Sequence, residues 1–175
     1  TPVELNGDLD TVAYTDFDGA LTSPFTAHPH EDPVTGEWHA ITYSPLMPDH
    51  VCHVAIDRKG EVLRQLKIPV SDGPSIHECT LTKNFVVIFD LPVTLSLAAM
   101  AKGFKFPYRW DDERSARVGL LPRSGTADEV VWCEVDPCWL FHVANSFEAD
   151  ENTVVIDAAV YETMFAHGPD GPNGQ

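Results

Sequence analysis

Three histidines of this 175-residue chain share one local context. His28 stands in Thr26-Ala27-His28-Pro29-His30-Glu31-Asp32-Pro33, His77 in Ile76-His77-Glu78-Cys79-Thr80, and His142 in Trp139-Leu140-Phe141-His142-Val143-Ala144-Asn145. Each lies just before or inside a run of apolar, β-branched or small residues. Imidazoles without thiolates suit iron, zinc, copper or nickel. Pro29 confines His28 to extended backbone and removes an amide donor beside it, so that imidazole is expected on a rigid stretch. A lone histidine in an apolar run is equally well a hydrogen-bonded core residue. Recurrence of the context after 49 and then 65 residues is what sets metal ligation beside that alternative.

The remaining histidines and polar groups are weaker candidates. His30 is two residues from His28, and Pro29 leaves its direction undefined. His39, His50 and His53 read as surface or packing residues, and His167 falls in a terminal loop. Ser23, Ser44 and Ser146 lack the nucleophile-elbow pattern. Neither GxGxxG nor a P-loop occurs. The carboxylates show no spacing that calls for acid/base work and read as solvated.

The elements expected to position these histidines are strands. Trp38–Tyr43, His50–Asp57, Val62–Val70, Phe85–Leu91, Val118–Leu121, Glu129–Glu134, Trp139–Asn145 and Thr153–Tyr161 are rich in β-branched and aromatic residues and are separated by turns. Arg58-Lys59-Gly60-Glu61 predicts a hairpin turn. Phe85-Val86-Val87-Ile88-Phe89 is apolar on both faces, as an inner strand requires. Trp110–Arg117 is expected to be charged and exposed. Thr94–Tyr108 is the one short helix or ordered-loop candidate. Its Leu95, Leu97, Met100, Phe104 and Phe106 with Lys102 and Lys105 either pack as a core insert or form an apolar rim touching membrane or a greasy substrate. Many short strands with turns every 8 to 12 residues imply an all-β sandwich, barrel or propeller. Propeller blades of about 40 to 50 residues would place one histidine per blade, with the apolar segment as an insert in the second interval.

Composition narrows the function classes. With 27 acidic against 11 basic residues the net charge is −16, which argues against nucleic-acid partners and against electrostatic attachment to anionic lipid. Cys52, Cys79, Cys133 and Cys138 form no CxxC pair, so a thiolate zinc site is not expected. Their scatter suits reduced thiols in a cytoplasmic protein. No apolar run is long enough to span a bilayer as a helix. The chain begins without Met at Thr1-Pro2-Val3 and ends in a Gly/Pro-rich stretch, so a fragment is expected.

The histidine stretches, together with Thr80-Leu81-Thr82-Lys83-Asn84-Phe85, Phe89-Asp90-Leu91-Pro92, Leu121-Pro122-Arg123 and Ser146-Phe147-Glu148, resemble the carotenoid cleavage oxygenase family. That family comprises carotenoid, apocarotenoid and stilbene dioxygenases and a retinoid isomerase. The resemblance runs over nearly the whole chain in the family's order. It implies a seven-bladed β-propeller with a non-haem Fe(II) on its axis, held by four histidines, of which His28, His77 and His142 match the first three. Residues 1–175 would then be a partial propeller domain of about three blades. The fourth ligand is not matched by His167, and the family's outer glutamates cannot be mapped by motif; both are expected outside the chain. The implied activity is O2-dependent cleavage of a conjugated double bond in a carotenoid, apocarotenoid or stilbene. Phe141 would line the substrate cavity, and Thr94–Tyr108 would be a peripheral membrane contact. The alternatives are a retinoid-type isomerase and a non-catalytic β-propeller binding module with structural histidines.

Overall fold

A computed structural model describes residues 2–166, and His167 lies outside them. The described chain is almost entirely β. A hairpin of β1 (Val3–Leu5) and β2 (Thr11–Tyr14) precedes the first four-stranded antiparallel sheet. That sheet is built from β3 (His30–Glu31), β4 (Trp38–Ser44), β5 (Met47–Ile56) and β6 (Val62–Pro69), in sequence order. The predicted turn between β5 and β6 forms as expected. Asp57 Oδ1 accepts the amides of Lys59 and Glu61 at 2.8 Å each, and Gly60 takes a φ of +85°, which a side chain would disfavour.

The second four-stranded sheet contains β7 (Thr80–Leu81) and β8 (Phe85–Asp90). It is joined after an excursion by β11 (Ala116–Pro122) and β12 (Val131–Val135), giving the order β12-β11-β8-β7. The excursion is β9 (Val93–Leu95), the short helix α1 (Leu97–Ala101) and β10 (Tyr108–Trp110), with β9 and β10 paired antiparallel. Ser96 caps α1, its hydroxyl accepting the Ala99 amide. The chain closes with a long hairpin of β13 (Trp139–Asp150) and β14 (Thr153–Tyr161). Most of the described strands fall into two four-stranded antiparallel sheets and this hairpin.

Alternation within the strands explains how the units stack. Ile41 and Val51 from the first sheet meet Val86, Ile88 and Leu121 from the second in one buried cluster. Val87 and Phe89 point the other way, into a cluster with Trp139 and Leu140 of β13. β8 is thus covered on both faces, as its unbroken apolar run requires. Each such aliphatic side chain contributes roughly 1.5–3 kcal/mol when fully buried.

Several expectations are corrected. Ala127–Glu129 is a single 3-10 turn, so the strand there starts only at Val131. Thr126 and Glu129 form a capping box, and the polar run favours that turn over the ladder. Trp110–Arg117 is not uniformly exposed. Arg114 and Arg117 close on the buried Asp90 at 2.8 and 2.7 Å, and Ala116 is buried. The Thr94–Tyr108 segment packs into the core only in part. Ala99 and Tyr108 enter the core, while Leu97 remains 74% and Met100 39% exposed.

Candidate metal centre

His28 and His77 occupy matching places, each in the loop that leads into the two-residue edge strand of its sheet, β3 or β7. His142 lies within β13. There the ladder to β14 slips, Leu140 facing Val160 while Val143 faces Ala158, so a bulge falls at Phe141-His142. Neighbouring side chains on a regular strand point to opposite faces. The bulge lets two consecutive rings approach the same partner, and Phe141 and His142 each stand with their centroids 5.0 Å from His77.

The three imidazoles converge. Ring centroids are 4.5 Å apart for His28–His77 and 4.7 Å for His28–His142. One nitrogen from each ring lies within 4.8 Å of the others. A metal bound at about 2.1 Å by adjacent ligands needs nitrogens roughly 3 Å apart, a contraction that rotation of the rings supplies. The donor set, three imidazole nitrogens and no thiolate, fits a first-row divalent metal such as Fe(II). Burial, reinforced by His28 and His142 nearby, pushes the His77 pKa below its ordinary value, against the opposing pull of Glu78. His77 is therefore held in the neutral form that a metal ligand must have.

Polar contacts between the units fix this arrangement. The His28 amide donates to Thr26 Oγ1, and the Thr26 hydroxyl donates to the His77 carbonyl. Ser146 on β13 donates to the Leu81 carbonyl at 2.8 Å and shares a 2.8 Å hydrogen bond with Thr80. Glu148 accepts from the Thr82 hydroxyl and from the amide and side chain of Asn84, ties that hold its carboxyl below the usual range against the opposing effect of desolvation. β13 is thereby fastened to the strand that follows His77.

Glu78 is the residue that motif comparison does not find. Its Oε2 lies 3.0 Å from His142 Nδ1 and 3.7 Å from His30 Nε2, and its Oε1 accepts the Val143 amide. The only signal in the sequence was adjacency to His77. His30 remains outside the trio. Asp32 takes no part either. It is buried and not solvated as the carboxylates were expected to be: it accepts the Val34 amide and pairs with Arg123 at 2.6 Å, shaping the turn into β4.

A cleft of about 350 Å³ borders His28 and His77 and is walled by Phe25, Tyr43, Ile76, Phe106 and Tyr108. Its size and aromatic lining suit a small apolar ligand. A larger cleft of about 1430 Å³ is bordered by Asp32, Arg123 and Glu148 together with apolar side chains such as Val34 and Phe147, and none of the three histidines borders it.

Residues 1–174 match the model of the family described as Retinal pigment epithelial membrane protein, RPE65. The carotenoid cleavage oxygenase of Mycobacterium tuberculosis is 33% identical over an alignment of 212 positions, covering 98% of this chain. The chain belongs to the carotenoid cleavage oxygenase family. A carotenoid 9,10(9',10')-cleavage dioxygenase of Arabidopsis thaliana is 34% identical over 86% of the chain. Among solved structures, the lignostilbene dioxygenase of Pseudomonas brassicacearum superposes with a TM-score of 0.77 at 26% identity, over 91% of this chain and 33% of that one. Cobalt-substituted ACO of Synechocystis superposes at 0.78 and 23% identity, over 98% and 38%, a likeness that shows the fold. The chain spans 42% of the length of the mycobacterial carotenoid cleavage oxygenase and 28% of the plant one.

Proposed function

We propose that the protein carrying this chain cleaves a conjugated carbon–carbon double bond of a carotenoid, apocarotenoid or stilbene with O2. Its Fe(II) would be held by His28, His77 and His142, and the chain would form part of a seven-bladed propeller domain. The observation that carries this proposal is the meeting of three imidazoles from three separate β-units beside an aromatic cleft. The names of the relatives, a carotenoid cleavage oxygenase and a lignostilbene dioxygenase, support the substrate class.

A ferrous ion in such a site supplies O2 and one-electron chemistry that amino-acid side chains lack. The polypeptide supplies position and dryness. His77, held neutral by its surroundings, offers a lone pair. Phe141, edge-on to His77 and Trp139, is proposed to line the substrate space and keep water from that flank. Tyr43, Phe106 and Tyr108 offer flat apolar walls against which a rigid polyene loses little entropy on ordering. The exposed Leu97 and Met100 on α1 are proposed as a peripheral contact with the membrane from which a lipophilic substrate arrives. The four free cysteines support a cytoplasmic location.

The test is the intact protein, loaded anaerobically with Fe(II) and then given 18O2 with a panel of carotenoids, apocarotenals and stilbenes. Two labelled or label-exchanged carbonyl products of lower mass are expected, and His77→Ala should reduce their formation at least 100-fold. A product of unchanged mass would mean isomerisation, a reading the relatives' names do not favour. Polyene binding without O2 consumption would mean a non-catalytic module.

A further inference from the structure

The aromatic cleft beside His28 and His77 carries two phenol hydroxyls that apolar walls alone do not require. They belong to Tyr43 on β4 and Tyr108 on β10, whose rings meet edge to face with centroids 5.4 Å apart. Ser75, itself only 2% exposed, donates to the Tyr43 hydroxyl at 3.0 Å. A phenol that accepts in this way still has its own proton to give. Tyr108 is 4% exposed, and its hydroxyl meets no partner among the described residues. Burial, then the neighbouring Tyr43, pushes its pKa up, so it remains a neutral donor. A hydroxyl enclosed among Phe25, Ile76 and Phe106 costs free energy unless an acceptor reaches it. Thr26, whose hydroxyl also borders the cleft, is already committed to the His77 carbonyl. Lys105 borders the same space but is exposed, so its hydrated ammonium discriminates little.

We propose that Tyr43 and Tyr108 are specificity-determining residues that select a polyene or stilbene bearing a neutral oxygen at one end. An aldehyde, ketone or hydroxyl oxygen accepts the two free protons, while the apolar walls hold the carbon skeleton beside it. At about 350 Å³ the cleft is at the small end of ligand pockets, which run from roughly 300 to 1,000 Å³, so it houses one end of a long substrate. A hydrocarbon end leaves both donors unpaired, and a site built to pair a substrate oxygen rejects the analogue that lacks one. The proposal deepens the function proposed above and rests on its reading of this cleft as substrate space.

The test uses the intact protein, without metal or O2, and two probes. One is β-ionone, a conjugated ketone, and the other is the same skeleton with CH2 in place of its C=O. In equilibrium dialysis, Tyr43→Phe and Tyr108→Phe should each weaken ketone binding about 2–12-fold, the worth of one hydrogen bond. Hydrocarbon binding should stay within about twofold, because each variant keeps its ring. Infrared difference spectra should show the ketone C=O stretch lower on wild type than in hexane, and back near the hexane value on the double variant. A stretch at the hexane value on wild type overturns the proposal without any need for a variant to fold. Equal losses for both probes, in variants that melt near wild type, also overturn it, as does a wild type that binds neither probe. Failure of the dioxygenase reading looks different. The 18O2 experiment then yields no cleavage product, while the effect of the two hydroxyls on ketone binding, read without metal or O2, stands.

Discussion

His39 and His53 lie 3.0 Å apart, Nδ1 to Nε2, on the face of the first sheet that carries Ile41 and Val51, and both are buried. Of the two readings for these hairpin histidines, surface or packing, both take the second, and they do so as a pair. Only one proton can occupy the line between the two facing nitrogens, so the pair cannot be doubly charged without breaking its bond. Burial, then repulsion from His39, Arg64 and Arg123, pushes the His53 pKa down to about 3, and burial also lowers that of His39. The unfolded chain takes up these protons near pH 6.5. Between that pH and about 3 the unfolded state binds more protons than the folded one, so stability is full at neutral pH and is lost as the pH falls through this window. The loss is on the order of a few kcal/mol. Thermal midpoints of the intact protein should begin to fall already near pH 6, above the range where carboxylates titrate, and His53→Leu should flatten that first part. A wild-type profile level from pH 7.5 to 5 would contradict the assignment.

At the scale of elements, the units are held by polar ties as well as by their apolar faces. Arg123, just after β11, pairs with Asp32 before β4 at 2.6 Å and donates to the Thr82 carbonyl after β7. One guanidinium thus spans both four-stranded sheets near the strands that follow His28 and His77. Arg123→Ala should lower stability by about 1–3 kcal/mol, because it leaves the buried Asp32 without its cation. Arg123→Lys should recover little of this, since a point charge cannot serve two acceptors in a fork. Equilibrium urea unfolding measures both, and a loss below about 0.5 kcal/mol for Arg123→Ala would show that the apolar clusters alone hold the sheets in register. The β13 bulge acts at the same scale, since a one-residue slip there decides which faces Phe141 and His142 take.

For the whole molecule, charge and apolar exposure point in different directions. A net charge of −16 repels anionic lipid, yet Leu97 and Met100 stand out from α1. Membrane contact through this rim is therefore expected to be hydrophobic. The intact protein should sediment with vesicles of neutral phosphatidylcholine, and phosphatidylserine should weaken that binding, not strengthen it. Leu97→Glu combined with Met100→Glu should reduce the bound fraction at least 10-fold, because two charges replace two inserting side chains. Equal binding by this double variant would remove α1 from the contact.

The strand-rich class, the covered inner strand β8, the hairpin turn at Gly60 and the shared context of the three histidines that converge were legible in the sequence. These follow from local chemistry: alternation, β-branching, turn residues and motifs short enough to read along the chain. Tertiary structure alone decided that residues 49 and 65 positions apart bring their rings within 5.0 Å, that Glu78 in the loop of His77 reaches the strand of His142, and that His39 finds His53. Each of these depends on ladder register and on how one sheet sits against the next. A single bulge changes the facing of every later side chain on its strand without leaving a mark in composition or period. The carboxylate beside His77 was visible from the start as a residue, but its partner is fixed by packing between units, a long-range property that no local pattern encodes.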